Sequence, residues 1–315
     1  MLNAGILSPH RYEFATNAAI QEIVMTMSKV AVFLLAGLVV VGPGRAQVFK
    51  LTREQMIQYT ARNPFDRFPD GRPKVPDSIL ERVKGLSAEE VFGIERRGYP
   101  SLYEAKWKIV RPEKKLVGRA VTLLLMPLRP EVAEVDSTGL PSTAPRERQI
   151  SHQSALNLLQ PGDVIVVDAH AISGGIIGDN LAYYIYKKGA GFVIDGEIRD
   201  LDGIREFDMT GYYREAVPSF LTNCMVAGIN IPVTIGKVTV MPGDVVFGDT
   251  EGVYFIPPQL AKEVVDRADE THIHDEWTKK KFDEGKYKST DIYPSPSDPA
   301  LKKEYEEYLK KRLGK

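Results

Sequence analysis

The chain has 315 residues, enough for one large domain or two small ones, and 43% hydrophobic content supplies a core. With 41 Lys and Arg against 42 Asp and Glu, the formal charge is −1, and no global field draws the protein to nucleic acid. The single cysteine, Cys224, excludes an intramolecular disulfide framework, a Cys-rich zinc site and an iron–sulfur cluster, and reads as a small buried apolar side chain.

The first 46 residues read as an address. Met25-Thr26-Met27-Ser28-Lys29 precedes an apolar run from Val30 to Val41, then Gly42-Pro43-Gly44-Arg45-Ala46. A short positive region, an apolar stretch of secretory length and small residues around a cut after Ala46 form a signal peptide pattern. The run falls short of the roughly 20 residues that span a bilayer, so stable membrane insertion is not expected. Translation is expected to begin at Met25 or Met27. The mature, exported (periplasmic or secreted) chain would then start at Gln47.

Residues 47–110 are polar with helical patches, one opening at Pro76-Asp77 and another at Ser87-Ala88-Glu89-Glu90, which has capping-box spacing. Gly118 to Leu125 is β-rich and predicts a strand. Residues 127–150, rich in Pro, Ser, Thr and charge, read as an insertion or loop. Asp163-Val164-Ile165-Val166-Val167-Asp168 follows Pro161-Gly162 and predicts a buried strand. A loop with Gly174, Gly175 and Gly178 leads to a helix over 179–188, stopped by Gly189, and then to a strand over 191–195. Strand, helix and strand in about thirty residues make a right-handed βαβ unit. Residues 243–249 and 252–256 predict a hairpin, and 258–269 a closing helix. The remaining 269–315 reads as a polar, solvated arm whose last segment, 301–315, is an amphipathic helix.

Ligands of a parallel sheet lie outside the carboxyl ends of its strands. Two such ends are visible: Gly178-Asp179-Asn180-Leu181 at a helix start, and Glu197-Ile198-Arg199-Asp200 after the next strand. If the strands are neighbours, Asp179, Arg199 and Asp200 face one crevice. Two carboxylates there could hold a hard divalent cation through oxygen ligands and water, and Arg199 offers a planar fork for a substrate carboxylate. The plain alternative makes both aspartates ordinary helix caps and Arg199 a surface ion-pair partner, and pattern alone favours it.

Five segments occur in order: Leu116-Val117-Gly118-Arg119-Ala120-Val121-Thr122, Pro161-Gly162-Asp163-Val164, Gly178-Asp179-Asn180-Leu181-Ala182, Asp195-Gly196-Glu197-Ile198-Arg199-Asp200, and Pro242-Gly243-Asp244-Val245-Val246 continuing to Gly252-Val253. Together they resemble the RraA-like family over about residues 85–268. That family includes 4-hydroxy-4-methyl-2-oxoglutarate aldolases, oxaloacetate decarboxylases and the regulator of ribonuclease E activity. The resemblance implies an α/β fold of the swivelling β/β/α kind, here with a helical N-terminal segment and an extended C-terminal arm, assembled as a homotrimer or hexamer. It implies that Asp200 ligates Mg²⁺ or Mn²⁺, that Asp179 holds the metal through water, and that Arg199 clamps a small 2-keto acid. Gly178 lies at the same turn, and Asn180 and Leu181 would offer backbone N–H groups to the pyruvyl carboxylate. Between Asp179 and Arg199 the chain is one residue shorter than the family's aldolases, a deletion that a tight turn near 188–191 absorbs.

Other residues carry weaker expectations. Lys187, Lys188 and Lys237 lack the buried context a Schiff-base lysine needs. His272 and His274 read as tail decoration, and His170 as a structural histidine that could line the pocket. Tyr183, Tyr184 and Tyr186 read as packing residues, and Trp277, Phe282, Tyr287 and Tyr293 as anchors of the arm on another subunit. Three function classes follow: a metal-dependent carbon–carbon lyase releasing pyruvate from a 2-keto acid, a non-catalytic regulator, and a secreted binding or assembly protein.

Overall fold

The computed structural model describes residues 49–92, 98–136 and 151–314, so the expected signal peptide and its cut near Ala46 lie outside the described residues, as does 137–150 of the expected insertion. Thr52 and Gln55 exchange backbone and side-chain bonds of 3.2 and 2.9 Å and open α1 (Arg53–Tyr59). Then come α2 (Asp77–Lys84) and α3 (Ala88–Phe92), where Ser87 and Glu90 form the predicted capping box. The short β1 (Tyr103–Glu104) and β2 (Lys108–Ile109) precede the long β3 (Leu116–Pro127). Next are α4 (Pro130–Asp136), α5 (Gln153–Leu156), β4 (Asp163–Asp168), α6 (Asp179–Lys188), β5 (Gly191–Ile198), α7 (Leu201–Ile204) and β6 (Thr210–Ala216). The chain continues through β7 (Cys224–Ile229), β8 (Val233–Ile235), β9 (Val238–Val240), β10 (Val245–Gly248) and β11 (Val253–Ile256). It ends with α8 (Pro258–Asp283), α9 (Ser289–Ile292) and α10 (Pro299–Leu313).

The main sheet runs β1-β11-β10-β3-β4-β5-β6-β2. Strands β3 to β6 are parallel, with Asp168 of β4 level with Asp195 of β5, and the flanking pairs are antiparallel. β3 pairs β10 through residues 116–119 and β7 through 123–127, with a bulge after Leu124. This is a mixed α/β architecture of the β/β/α kind, as expected.

Alternation along the strands divides the core. Val121, Leu123, Ile165, Val167, Phe192 and Ile194 face a cluster that includes Ala155, Leu156, Ala182 and Ile185 of α5 and α6. The intervening Ala120, Val164, Val166 and Val193 face Val233, Ile235, Val238 and Val240 of the β8–β9 hairpin, with Val246 and Phe255. Both faces of β4 are therefore covered, which is why it reads as an unbroken apolar run. On β10 and β11 the outward Val245, Phe247, Tyr254 and Ile256 pack under α2, α3 and α8.

Residues from Ala46 to Lys315 cluster as one unit, and particular contacts bind the extensions into it. Arg72 reaches Asp163 at the start of β4 with bonds of 3.1 and 2.7 Å, and both side chains are buried. Arg119 of β3 joins them, at 3.4 Å from Asp163 and 2.7 Å from Asp77, and Phe68 lies 4.2 Å beneath the Arg72 guanidinium. The helix expected to close near Asp269 runs on to Asp283, because Ile273, Trp277, Thr278 and Lys281 continue its buried stripe. The arm is thus helical: α10 folds back on α8, with Tyr305 5.3 Å from Trp277 and Arg312 2.7 Å from Glu276. Trp277 is buried within its own chain, which corrects its expected role as an anchor on another subunit. Among the described residues, no helix is long and apolar enough to cross a membrane.

Candidate active site

β4 and β5 are parallel neighbours, so the loops after them open at the same sheet edge. The loop after β4 lies against the end of β5 as a backbone ladder: Ile176 N–H to Glu197 O at 2.8 Å, and Arg199 N–H to Ile177 O at 2.9 Å. Glycine permits that approach. A Cβ on Gly175 would stand 2.8 Å from Arg199 Cβ and 2.9 Å from its backbone nitrogen. One on Gly178 would overlap Asp200 Oδ2 and lie 3.1 Å from Arg199 Nε.

Gly178 is the cap position of α6 and makes no side-chain cap, and Asp179 is the first helical residue. Asp200 stands at the cap of α7 in the left-handed region, φ 56° and ψ 40°, and its side chain makes no capping bond. That conformation is costly for a non-glycine residue, although aspartate tolerates it better than most. It turns the carboxylate back over Gly178, where Oδ2 lies 3.6 Å from Arg199 Nε. Asp200 thus occupies a cap position without a capping bond, although its ion pair with Arg199 at the surface is what the plain alternative expects. The Asp179 carboxylate lies beside α7, since a Cβ on Gly203 would meet its Oδ2 at 3.4 Å.

Arg199 is half-exposed, and its terminal nitrogens have no partner among the described residues. The forks of Arg72, Arg119 and Arg214, by contrast, hold carboxylates or carbonyls. Terminal guanidinium nitrogens left free beside a helix N-terminus suit an anionic oxygen. Leu181 N–H is one of the first-turn donors with no intrahelical acceptor. Asn180 N–H, expected to face the ligand, instead donates to Asp179 Oδ1 at 2.7 Å. A ligand at that donor would have to displace the Asp179 contact. Among the described residues no three His, Cys, Asp or Glu side chains converge as a metal cage. The pair Asp179 and Asp200 offers hard oxygen donors that suit a divalent cation keeping most of its water, and leaves room for a donor from elsewhere.

The other expected residues fall into place separately. Lys187 is exposed and lies 5.2 Å over the Tyr183 and Tyr186 rings. Those two tyrosines are exposed beside Phe207, and only Tyr184 packs on the core. His272 binds Glu90 at 2.6 Å, whereas His274 sits edge-on to Tyr305, so the pair makes no joint site. Cys224 is half-buried, and desolvation pushes its thiol pKa up, away from the reactive thiolate. His170 pairs with buried Asp168 at 2.7 Å, a dyad the loop's spacing did not reveal.

Comparison with known proteins supplies the family. Residues 93–255 match the sequence profile of the RraA-like family, described as Aldolase/RraA. A protein of Halalkalibacterium halodurans provisionally named a 4-hydroxy-4-methyl-2-oxoglutarate aldolase is 34% identical over 118 residues, which is 37% of this chain and 56% of that protein. A relative of the same provisional name from Ectopseudomonas mendocina is 34% identical over 102 residues, 32% of this chain and 63% of its own. The match thus spans under two thirds of either curated relative. Among solved structures, Streptomyces coelicolor RraAS2, described as an unusual member of the RNase ES inhibitor RraA family, superposes with a TM-score of 0.55 at 27% identity. It covers 69% of this chain and 99% of that one. An uncharacterised Pseudomonas syringae protein shares the fold, with a TM-score of 0.57 at 21% identity, over 71% of this chain and 94% of its own.

Proposed function

The chain belongs to the RraA-like, Aldolase/RraA family, and from that premise we propose that it is a divalent-metal-dependent carbon–carbon lyase acting on a small 2-keto acid. The reaction is retro-aldol cleavage or oxaloacetate-type decarboxylation, with release of pyruvate. The observation that supports this reading is the Arg199 guanidinium, its terminal nitrogens without a partner among the described residues, beside the Asp200 carboxylate over Gly178 at the N-terminus of α6.

Arg199 binds the substrate carboxylate and fixes a positive charge beside the carbon that becomes an enolate, where stabilising developing charge lowers the barrier most. Leu181 N–H orients the same carboxylate. Asp200 would ligate Mg²⁺ or Mn²⁺ directly and Asp179 through water. Bound there, the cation supplies a Lewis-acidic partner for the keto oxygen. Asp179 would poise a water of that cation so that it can relay protons. The assembly is a homotrimer or hexamer in which a neighbouring copy completes the site, and the protein is exported.

The test is pyruvate release from candidate 2-keto acids with and without Mg²⁺ or Mn²⁺, repeated for Arg199→Ala and Asp200→Ala. Activity abolished by EDTA and by either substitution supports the lyase. Turnover that persists after chelation points to a Schiff base. No turnover and no Mn²⁺ binding favours the non-catalytic reading, a regulator as RraAS2 is described or a secreted binding protein.

A further inference from the structure

A cavity of about 340 Å³ is lined in part by the chain segments that lead into the candidate site. Its walls include His170 and Ser173 from the loop after β4, Asp195 and Glu197 from β5, and Arg214 and Glu215 from β6. His170 and Ser173 precede Gly174–Gly178 on one loop, and Asp195 and Glu197 precede Arg199–Asp200 on the other. Glu197 Oε2 accepts Gly174 N–H at 2.6 Å, which ties the cavity wall to the loop that packs on Arg199.

The histidine is held as an oriented acid–base group. Its Nδ1 lies 2.7 Å from Asp168 Oδ1, and Asp168 Oδ2 accepts Thr234 N–H at 3.0 Å, which fixes the carboxylate. A carboxylate only accepts, so Nδ1 carries the proton and Nε2 of the neutral ring is the acceptor. The ring is 66% exposed, and no described residue engages Nε2.

The cations nearby are already engaged. Arg214 gives Nε to Asp195 at 2.6 Å, Nη2 to Glu104 at 2.9 Å and Nη1 to Ala105 O at 3.0 Å. Glu215 pairs with Lys108, and Asp195 also accepts Gly236 N–H at 2.7 Å. Glu197 Oε1, His170 Nε2 and the Ser173 hydroxyl have no partner among the described residues. The first two accept from a ligand hydroxyl, Ser173 can exchange a bond with one, and the Glu197 carboxylate repels a second carboxylate.

We propose that this cavity takes the far end of a 4-hydroxy-2-keto acid whose carboxylate sits on Arg199, that this far end is uncharged, and that His170 Nε2 removes the 4-hydroxyl proton. The proposal rests on the lyase reading. The O4 proton moves to Nε2, the C4–O4 double bond forms, and the C3–C4 bond breaks. Its electron pair becomes the C2–C3 enolate beside Arg199; a solvent proton at C3 completes pyruvate while His170 Nε2 returns its own to solvent, and the C4 fragment leaves as an aldehyde, or as a ketone where C4 carries two carbons.

The test compares pyruvate release from 4-hydroxy-2-oxopentanoate and 4-hydroxy-4-methyl-2-oxoglutarate in the intact protein and in His170→Gln and Glu197→Gln. Expected are a kcat/KM at least tenfold higher for the uncharged substrate and a kcat lowered about a hundredfold in His170→Gln. Inhibition by oxalate, too short to reach the cavity, should be unchanged. Independently of turnover, 2-oxopentanoate should shift the His170 ring ¹⁵N resonances while oxalate leaves them in place. Pyruvate formed from the dicarboxylate in preference, or a His170→Gln enzyme indistinguishable from the parent, overturns the subsite and leaves the lyase standing. No pyruvate from any 2-keto acid overturns both.

Discussion

Gly178→Ala separates the site from the fold. The backbone at Gly178, φ −116°, is ordinary for any residue, so the substitution does not strain the chain. Alanine is a poorer cap than glycine by about 0.5–1 kcal/mol, and it lowers the entropy of the unfolded chain by a similar amount. The net stability change is within about 1 kcal/mol, a Tm shift of a few degrees at most. The site fares differently. The new methyl would overlap Asp200 Oδ2 and stand 3.1 and 3.3 Å from Arg199 Nε and Cγ. Ordinary contact between heavy atoms needs about 3.5 Å or more, so the Asp200 carboxylate must move on the order of 1 Å. A displacement of that size at a reacting centre costs about a hundredfold. Pyruvate release should therefore fall about a hundredfold, and Mn²⁺ affinity should weaken, while the melting curve scarcely moves. Full activity in Gly178→Ala, or activity and Tm lost together, would refute this placement of Asp200.

Three more outcomes follow from the packing and the buried charges. Arg72→Met leaves buried Asp163 with Arg119 as its remaining cation and should cost about 3–5 kcal/mol in chemical denaturation; a loss below about 1 kcal/mol would mean water reaches that cluster. Trp277→Ala should cost about 3–5 kcal/mol and free α10, read as raised proteolysis after residue 298, with an uncut α10 counting against the docking described. Burial pushes the Asp244 pKa up to about 7, despite one bond from Met241 N–H. Its folded pKa lies above the unfolded value of about 3.9, so the native state keeps a proton the unfolded chain has lost, and stability falls as pH rises from about 4 to about 7, then levels. Asp244→Asn should remove that slope from a Tm series between pH 5 and 8; an unchanged slope would assign it to another group.

How much was legible depended on how local the signal was. β4 and α6 were read to the residue because turn residues bracket an apolar run and a helical one. Ser87 and Glu90 mark α3 for the same reason, and Thr52 and Gln55 carry the equivalent signal ahead of α1. The end of α8 was misplaced because charges dominate 269–283, and only three-dimensional packing shows that Ile273, Trp277 and Lys281 share one buried face. At the site, sequence supplied Asp179, Arg199 and Asp200 as candidates. It could not supply the left-handed turn at Asp200, the engagement of Asn180 N–H by Asp179, or the His170–Asp168 pair. Those depend on backbone direction and on residues two apart meeting around a bend.

The buried charges at Arg72 bear on where this protein can be cut. Residues 93–255 are what it holds in common with its relatives, yet Asp163 at the head of β4 meets Arg72, and Arg119 on β3 meets Asp77, both upstream of that stretch. A clone trimmed to the shared length would strip the neutralising partner from a carboxylate sealed off from solvent, along with the α2 and α3 cover over β10 and β11. The inherited domain and the stretch able to stand alone are different lengths of chain, and expression experiments should keep the residues from Thr52 onward.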